Sequence, residues 1–280
     1  MSIDELARSY YTYQSIPDQH HHIPLPRSSS LPIRSNLTMV RPSIVLFGDS
    51  ITEEAFGEGG WGASLANHYS RSADVVLRGY SGYNTRWAAR VANRAVATIS
   101  GHVAAVTVCF GANDAALPDR ASAAQHVPVA EYRDNLRAIS ALLQRRWPGV
   151  VVILVTPPPV DEDGRRRYPY AHDYSGLPER TNAAAGVYAR ACVEVARQCG
   201  VRAIDVWSRM QKFAGWEKSF LRDGLHLTPR GNRVLFEEVV FALKDANLSL
   251  ESLPADLPLF GDMDPNNPAK SFEDDEWAEC

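Results

Sequence analysis

The chain has 280 residues, 45% of them hydrophobic and 22% charged, ordinary values for a globular protein long enough to bury a full core. A formal net charge of −4 gives no case for nucleic acid as partner, and no apolar run is long enough to insert stably in a membrane. The acidity is also local: Glu273, Asp274, Asp275, Glu276 and Glu279 leave the remaining body at +1.

In chain order, residues 1–40 read as a flexible N-terminal segment: His20-His21-His22, scattered prolines and Ser28-Ser29-Ser30 show no periodicity. Three consecutive histidines in such an arm are usually incidental, so no metal is expected there. Met39, just ahead of the first strand, is a candidate alternative start. The first fourteen residues contain no uninterrupted apolar stretch, so no secretory signal is expected. Cys109, Cys192, Cys199 and Cys280 have no metal spacing, and a reduced, cytoplasmic setting fits them best.

Ser43 to Phe47 reads as a buried parallel strand, apolar and partly β-branched, ending in Gly48-Asp49-Ser50. A helix is expected over 63–70, a strand over 75–80 and an Ala/Arg-rich helix over 85–98. Strands follow over 104–110 and 150–155, separated by a long amphipathic helix over 129–147. Residues 161–176 read as a loop in which Arg165-Arg166-Arg167 forms a solvated turn. A helix is expected from Pro178 to Gln198, ended by Gly200, then a short strand over 201–204. Thr228-Pro229 opens the last helix as cap and first-turn proline, running to about Asn247. Residues 251–280 read as a Pro-rich, then acidic, tail or surface strap. The βαβα alternation predicts a three-layer α/β/α sandwich on a five-stranded parallel sheet, occupying residues 41–250.

Four polar motifs fall where such a fold collects them: Gly48-Asp49-Ser50, Ser81-Gly82, Gly111-Ala112-Asn113-Asp114 and Asp223-Gly224-Leu225-His226. The first three sit at carboxyl ends of strands, the edge where open α/β sheets bind ligands. Each motif alone also fits an ordinary turn or cap. Together they supply the parts of acyl transfer. Ser50 is a candidate nucleophile, inert until a base takes its proton. His226 is the candidate base, since imidazole is the side chain that titrates near neutrality. Asp223, three residues earlier across a glycine, can fold onto Nδ1 and fix the tautomer. The Ser50 N–H, the Gly82 N–H and the Asn113 side-chain amide are candidate oxyanion donors. Trp61, Tyr83 and Trp87 are candidate walls of a substrate pocket. Asp49 and Asp114 read as turn-bracing residues, and His68, His102, His126 and His172 as non-catalytic.

The four blocks resemble the SGNH branch of the GDSL hydrolases, matching at Ser50, Gly82, Asn113 and the Asp223/His226 pair. The longer phrases 59–62, 78–87, 110–116 and 223–229 resemble the isoamyl acetate-hydrolysing esterase subgroup, particularly its plant members. The resemblance covers roughly residues 42–273. One departure is Gly-Asp-Ser-Ile in place of the Gly-Asp-Ser-Leu that names the family. The resemblance implies a flavodoxin-like sandwich, a Ser–His–Asp triad, and neither metal nor cofactor. The expected activity is hydrolysis of small, short-chain esters such as acetates. The alternatives are a carbohydrate deacetylase, a thioesterase or lysophospholipase on the same triad, and a non-catalytic binding module. Neither the natural ester nor the oligomeric state is legible.

Overall fold

The computed structural model describes residues 41–169 and 175–272. The N-terminal segment with His20–His22 and Met39, His172, the acidic run from Glu273 and Cys280 lie outside the described residues.

Strand β1 (Ser43–Gly48) leads into a four-residue helix, α1 (Ser50–Glu53), and a 3₁₀ turn; α2 (Trp61–His68) follows. Then come β2 (Asp74–Gly79), α3 (Thr85–Ala95), β3 (Val103–Cys109), α4 (Val129–Arg146) and β4 (Val151–Val155). The chain continues through α5 (Glu162–Arg167), α6 (Asn182–Cys199), β5 (Arg202–Ile204), α7 (Val206–Met210), α8 (Trp216–Phe220) and α9 (Pro229–Asp245). The five strands are parallel, in the order β2-β1-β3-β4-β5.

Both faces of the sheet are covered, and the two-residue side-chain period decides which residue meets which layer. Ile44 and Leu46 join Ala105, Ile153 and Val155 beneath α2, α7 and α9. Val45 and Phe47 join Val106, Val108, Val152 and Leu154 beneath α3, α4 and α6. This double burial is why the central strands read as long apolar runs. The polar motifs at Asp49, Ser81 and Asn113 lie past the carboxyl ends, while the edge strands β2 and β5 carry Arg78 and Arg202 within them. Register puts Gly48 beside Gly79 of β2 and Cys109 of β3. The loops that begin at Asp49, Tyr80 and Phe110 therefore leave the same edge side by side.

Three expectations need correction. The helix expected from Pro178 begins at Asn182, because the Thr181 hydroxyl accepts from Ala184 N at 3.1 Å and caps it there. The segment expected to be a loop contains α5, and Arg165 on it is only 5% exposed rather than solvated. The helices α7 and α8, five residues each, were not expected, being too short for a periodic signal. Among the described residues, no helix is long and apolar enough to cross a membrane. Beyond α9, Asp256 hydrogen-bonds the guanidinium groups of Arg41 and Arg71, ahead of β1 and β2 respectively.

Candidate active site

Ser50 is placed by its neighbours in sequence. Asp49 caps α1 through Oδ1, which accepts from Ile51 N at 3.0 Å. Ser50 is thereby the first helical residue, and its own N–H has no partner within the helix. Burial pushes the Asp49 carboxyl up to about 7, against the Ile51 N–H, which favours its charged form.

His226 lies on a small hairpin between α8 and α9. Leu221 pairs antiparallel with Leu227, and Arg222 N donates to His226 O at 2.9 Å. The tip needs Gly224, whose φ is +89° and whose missing Cβ would sit 2.4 Å from Asp161 O. Around this tip Asp223 Oδ1 accepts from Leu225 N at 3.0 Å and His226 N at 2.8 Å. Its Oδ2 lies 2.7 Å from His226 Nδ1. A carboxylate only accepts, so Nδ1 carries the proton and Nε2 presents its lone pair. That Nε2 is 3.0 Å from Ser50 Oγ. Burial alone raises the Asp223 carboxyl. The hydrogen bond and charge of His226, with the two backbone N–H groups, outweigh it and hold the group well below the usual carboxylate range.

The remaining candidates stand on the β2 and β3 loops. Gly82 has φ of +78° in a turn closed by Tyr83 N donating to Tyr80 O at 3.1 Å. That is the pattern of a type II turn, with glycine at its third position. Asn113 is 4% exposed; its Nδ2 donates to Tyr83 O at 2.9 Å, and its Oδ1 accepts from Arg180 at 3.0 Å. An amide nitrogen carries two hydrogens, so one remains after the bond to Tyr83. Asp114 accepts from Thr85 N and the Thr85 hydroxyl, bracing the β3 loop against the start of α3. Burial pushes its carboxyl up to about 7.

The structure corrects the expected pocket wall at Trp61. This side chain is fully buried in the core, and its indole N–H donates to Ile51 O at 3.0 Å. It supports the helix that begins at Ser50 from behind. Tyr83 and Trp87 do reach the surface, as a tilted and edge-on series with Tyr80. A separate cleft of about 500 Å³ borders Ile51 and Leu227, the residues next after Ser50 and His226, with Glu53, Glu54, Arg222 and Asn232 in its wall. Arg222 and Glu54 form an ion pair there at 2.8 Å.

Sequence reasoning missed one group of residues. Glu179 and Arg180 are 1% and 2% exposed, and Glu179 Oε1 accepts from both Arg165 and Arg180. Arg165 also donates to Asp223 O at 3.0 Å. Two arginines sharing one carboxylate beneath an active edge carry no linear signature. The adjacent Glu-Arg pair was the single hint available.

Comparison with known proteins places the chain in a family. The GDSL-like Lipase/Acylhydrolase family model matches residues 46–234, which include all five candidate positions from Ser50 to His226. A GDSL esterase/lipase of Arabidopsis thaliana is 56% identical over 240 residues, covering 84% of this chain and all of that protein. An isoamyl acetate-hydrolyzing esterase 1 homolog of Bos taurus is 43% identical over 246 residues, covering 86% of this chain and 95% of that one. Among solved structures, a lipase/acylhydrolase from Enterococcus faecalis superposes with a TM-score of 0.56 at 26% identity, over 73% of this chain and 96% of that one.

Proposed function

Because the chain belongs to the GDSL-like lipase/acylhydrolase family and is a carboxylic ester hydrolase, we propose that it hydrolyses short-chain esters, acetates foremost, through an acyl-enzyme on Ser50. The observation that carries this reading is the pair of contacts Ser50 Oγ to His226 Nε2 at 3.0 Å and His226 Nδ1 to Asp223 at 2.7 Å.

In the first half-reaction Ser50 Oγ attacks the ester carbonyl while His226 Nε2 takes its proton. Asp223 stabilises the imidazolium and keeps Nε2 aimed at the hydroxyl. The tetrahedral oxyanion is met by the Ser50 N–H, the Gly82 N–H and the second Asn113 Nδ2 hydrogen. His226 returns the proton to the departing alcohol. Water then repeats the sequence with the acyl-enzyme, His226 acting again as base, and releases the acid. No step calls for a metal or a cofactor. A small-molecule ester is the partner; the preference for acetates is supported by the 43% identity to a protein named for isoamyl acetate hydrolysis.

An ester panel from acetyl to long acyl, run on the wild type and Ser50→Ala, tests both parts. Turnover of p-nitrophenyl acetate and fluorophosphonate labelling should both vanish in the variant. Retained turnover removes Ser50 as nucleophile. A wild-type rate that rises with acyl length replaces the short-chain assignment with a lipase or lysophospholipase.

A further inference from the structure

Arg180 spends all five of its N–H donors inside the protein. Nε donates to Ala112 O at 2.8 Å. One terminal nitrogen donates to Glu179 Oε1 at 2.8 Å and Ser122 Oγ at 3.5 Å. The other donates to Asn113 Oδ1 at 3.0 Å and Gln125 Oε1 at 2.6 Å. A guanidinium has no acceptor, so the oxygen ends of both amides must face it and their nitrogen ends must face away. For Asn113 that presents Nδ2 to Tyr83 O and leaves its second hydrogen for the oxyanion proposed above. For Gln125 it directs Nε2 to Gly82 O, at 3.0 Å. One nitrogen thus sets the orientation of Asn113 directly and holds Gly82 at one remove.

We infer that Arg180 is a positioning residue for the ester hydrolysis proposed above: it aligns two of the three oxyanion donors at once, Asn113 directly and Gly82 through Gln125. Because Asn113 and Gly82 leave different strands, no local turn can hold them in register with each other. A planar fork with fixed donor directions can. The charge adds a second effect. A cation bonded to the oxygen of an amide polarises it and makes its remaining N–H a stronger donor. That gain appears only when an oxyanion forms, so it belongs to kcat and not to substrate binding. Lysine keeps the charge but offers three donors from a single point, so it cannot serve both amides and the Ala112 carbonyl together.

The test is a set of variants assayed on p-nitrophenyl acetate, with thermal unfolding of each to establish its fold. Arg180→Met is expected to lower kcat about 10²-fold, the scale of losing one oxyanion donor, with KM little changed. Arg180→Lys should recover only a small part of that loss. Gln125→Ala, which cuts the link to Gly82 and removes one acceptor of Arg180 while leaving the Arg180–Asn113 bond in place, should lower kcat about tenfold, less than the loss of a full oxyanion donor. In the Asn113→Ala background, Arg180→Met should cost clearly less than in the wild type, because groups acting as a unit are non-additive. An equal factor in both backgrounds, a loss confined to KM, or a folded Gln125→Ala with wild-type kcat would each overturn the inference. If Arg180→Met does not fold, Arg180→Lys and Gln125→Ala decide it. Ser50→Ala separates this failure from that of the nucleophile assignment. If that variant stays active the triad reading falls; if it is dead while the Arg180 variants are normal, only the positioning role falls.

Discussion

The two sides of this active edge are held by different physics. On one, Asp223 and His226 sit three residues apart on a hairpin tip, and the carboxylate binds the backbone N–H of the imidazole's own residue. That geometry is local and closes a loop of a few residues at little entropic cost. On the other, Gly82 and Asn113 come from separate strand ends: Asn113 Nδ2 bonds the carbonyl of neighbouring Tyr83, and a guanidinium 67 positions beyond Asn113 fixes which way that amide faces. That side is assembled only when the core is. The Asp223–His226 pairing is therefore local, with Arg165 holding its hairpin from outside, while the Gly82–Asn113 side depends throughout on buried ions that cost free energy if one partner is lost.

Four substitutions break or sharpen this contrast. The largest effect is expected from Asp223→Asn, about 10⁴-fold in kcat, because the wrong imidazole tautomer then faces Ser50. Steady-state assays at pH 8 read it; a loss under tenfold would show that the hairpin does not orient the base. Asn113→Ala comes next, at roughly 10²- to 10³-fold in kcat with KM nearly unchanged. Should KM absorb the loss instead, Asn113 would be a ground-state contact. Third is Trp61→Phe, which leaves the buried Ile51 carbonyl without its donor and should destabilise by about 1–3 kcal/mol in urea unfolding. An unchanged midpoint would remove the indole as a support for α1.

The fourth is a change of slope. In the folded chain Asp49 is pushed up to about 7 by burial, from an ordinary value of 3.8. Between these values the folded state binds more protons than the unfolded state. Stability from this group therefore falls as pH rises from about 4 to 7 and is level above. Asp49→Asn removes that dependence, so its melting temperature should gain on the wild type between pH 5 and pH 8. Asp223 has the opposite sign: held below 3.8, it stabilises at neutral pH, and that contribution disappears as pH falls through the acid range. A melting-temperature difference between Asp49→Asn and wild type that is flat in pH would assign the ionised form to buried Asp49.

What the sequence made legible follows the same division. The three central strands β1, β3 and β4 stood out because burial on both faces leaves long apolar runs, while the edge strands β2 and β5 are legible beside them in spite of Arg78 and Arg202. Asp223 and His226 stood out because their partnership is written within four residues. Arg165 did not, because Arg165-Arg166-Arg167 looks uniformly solvated, and only the position of Glu179 across the fold separates the first arginine from the other two. Trp61 misled because aromatic residues line binding sites as readily as they fill cores. Here Gly62 lacks a side chain so that α2 can press onto the 3₁₀ turn and the sheet, where an added Cβ would lie 2.9 Å from Ala55 and Phe56 and 3.0 Å from Leu46. Close helix packing and ligand access call for the same small residue, and the linear code does not distinguish them.

The grip of Arg41 and Arg71 on Asp256 has a mechanical corollary. It staples a residue beyond the final helix to the approaches of the two strands that begin the sheet, 215 and 185 positions earlier. A cut between the end of α9 and this staple leaves every strand covalently intact, yet severs Asp256 from the chain that carries its two arginine partners. Fusion tags and protease sites that are to spare this tie belong beyond Asp256 and not between it and α9.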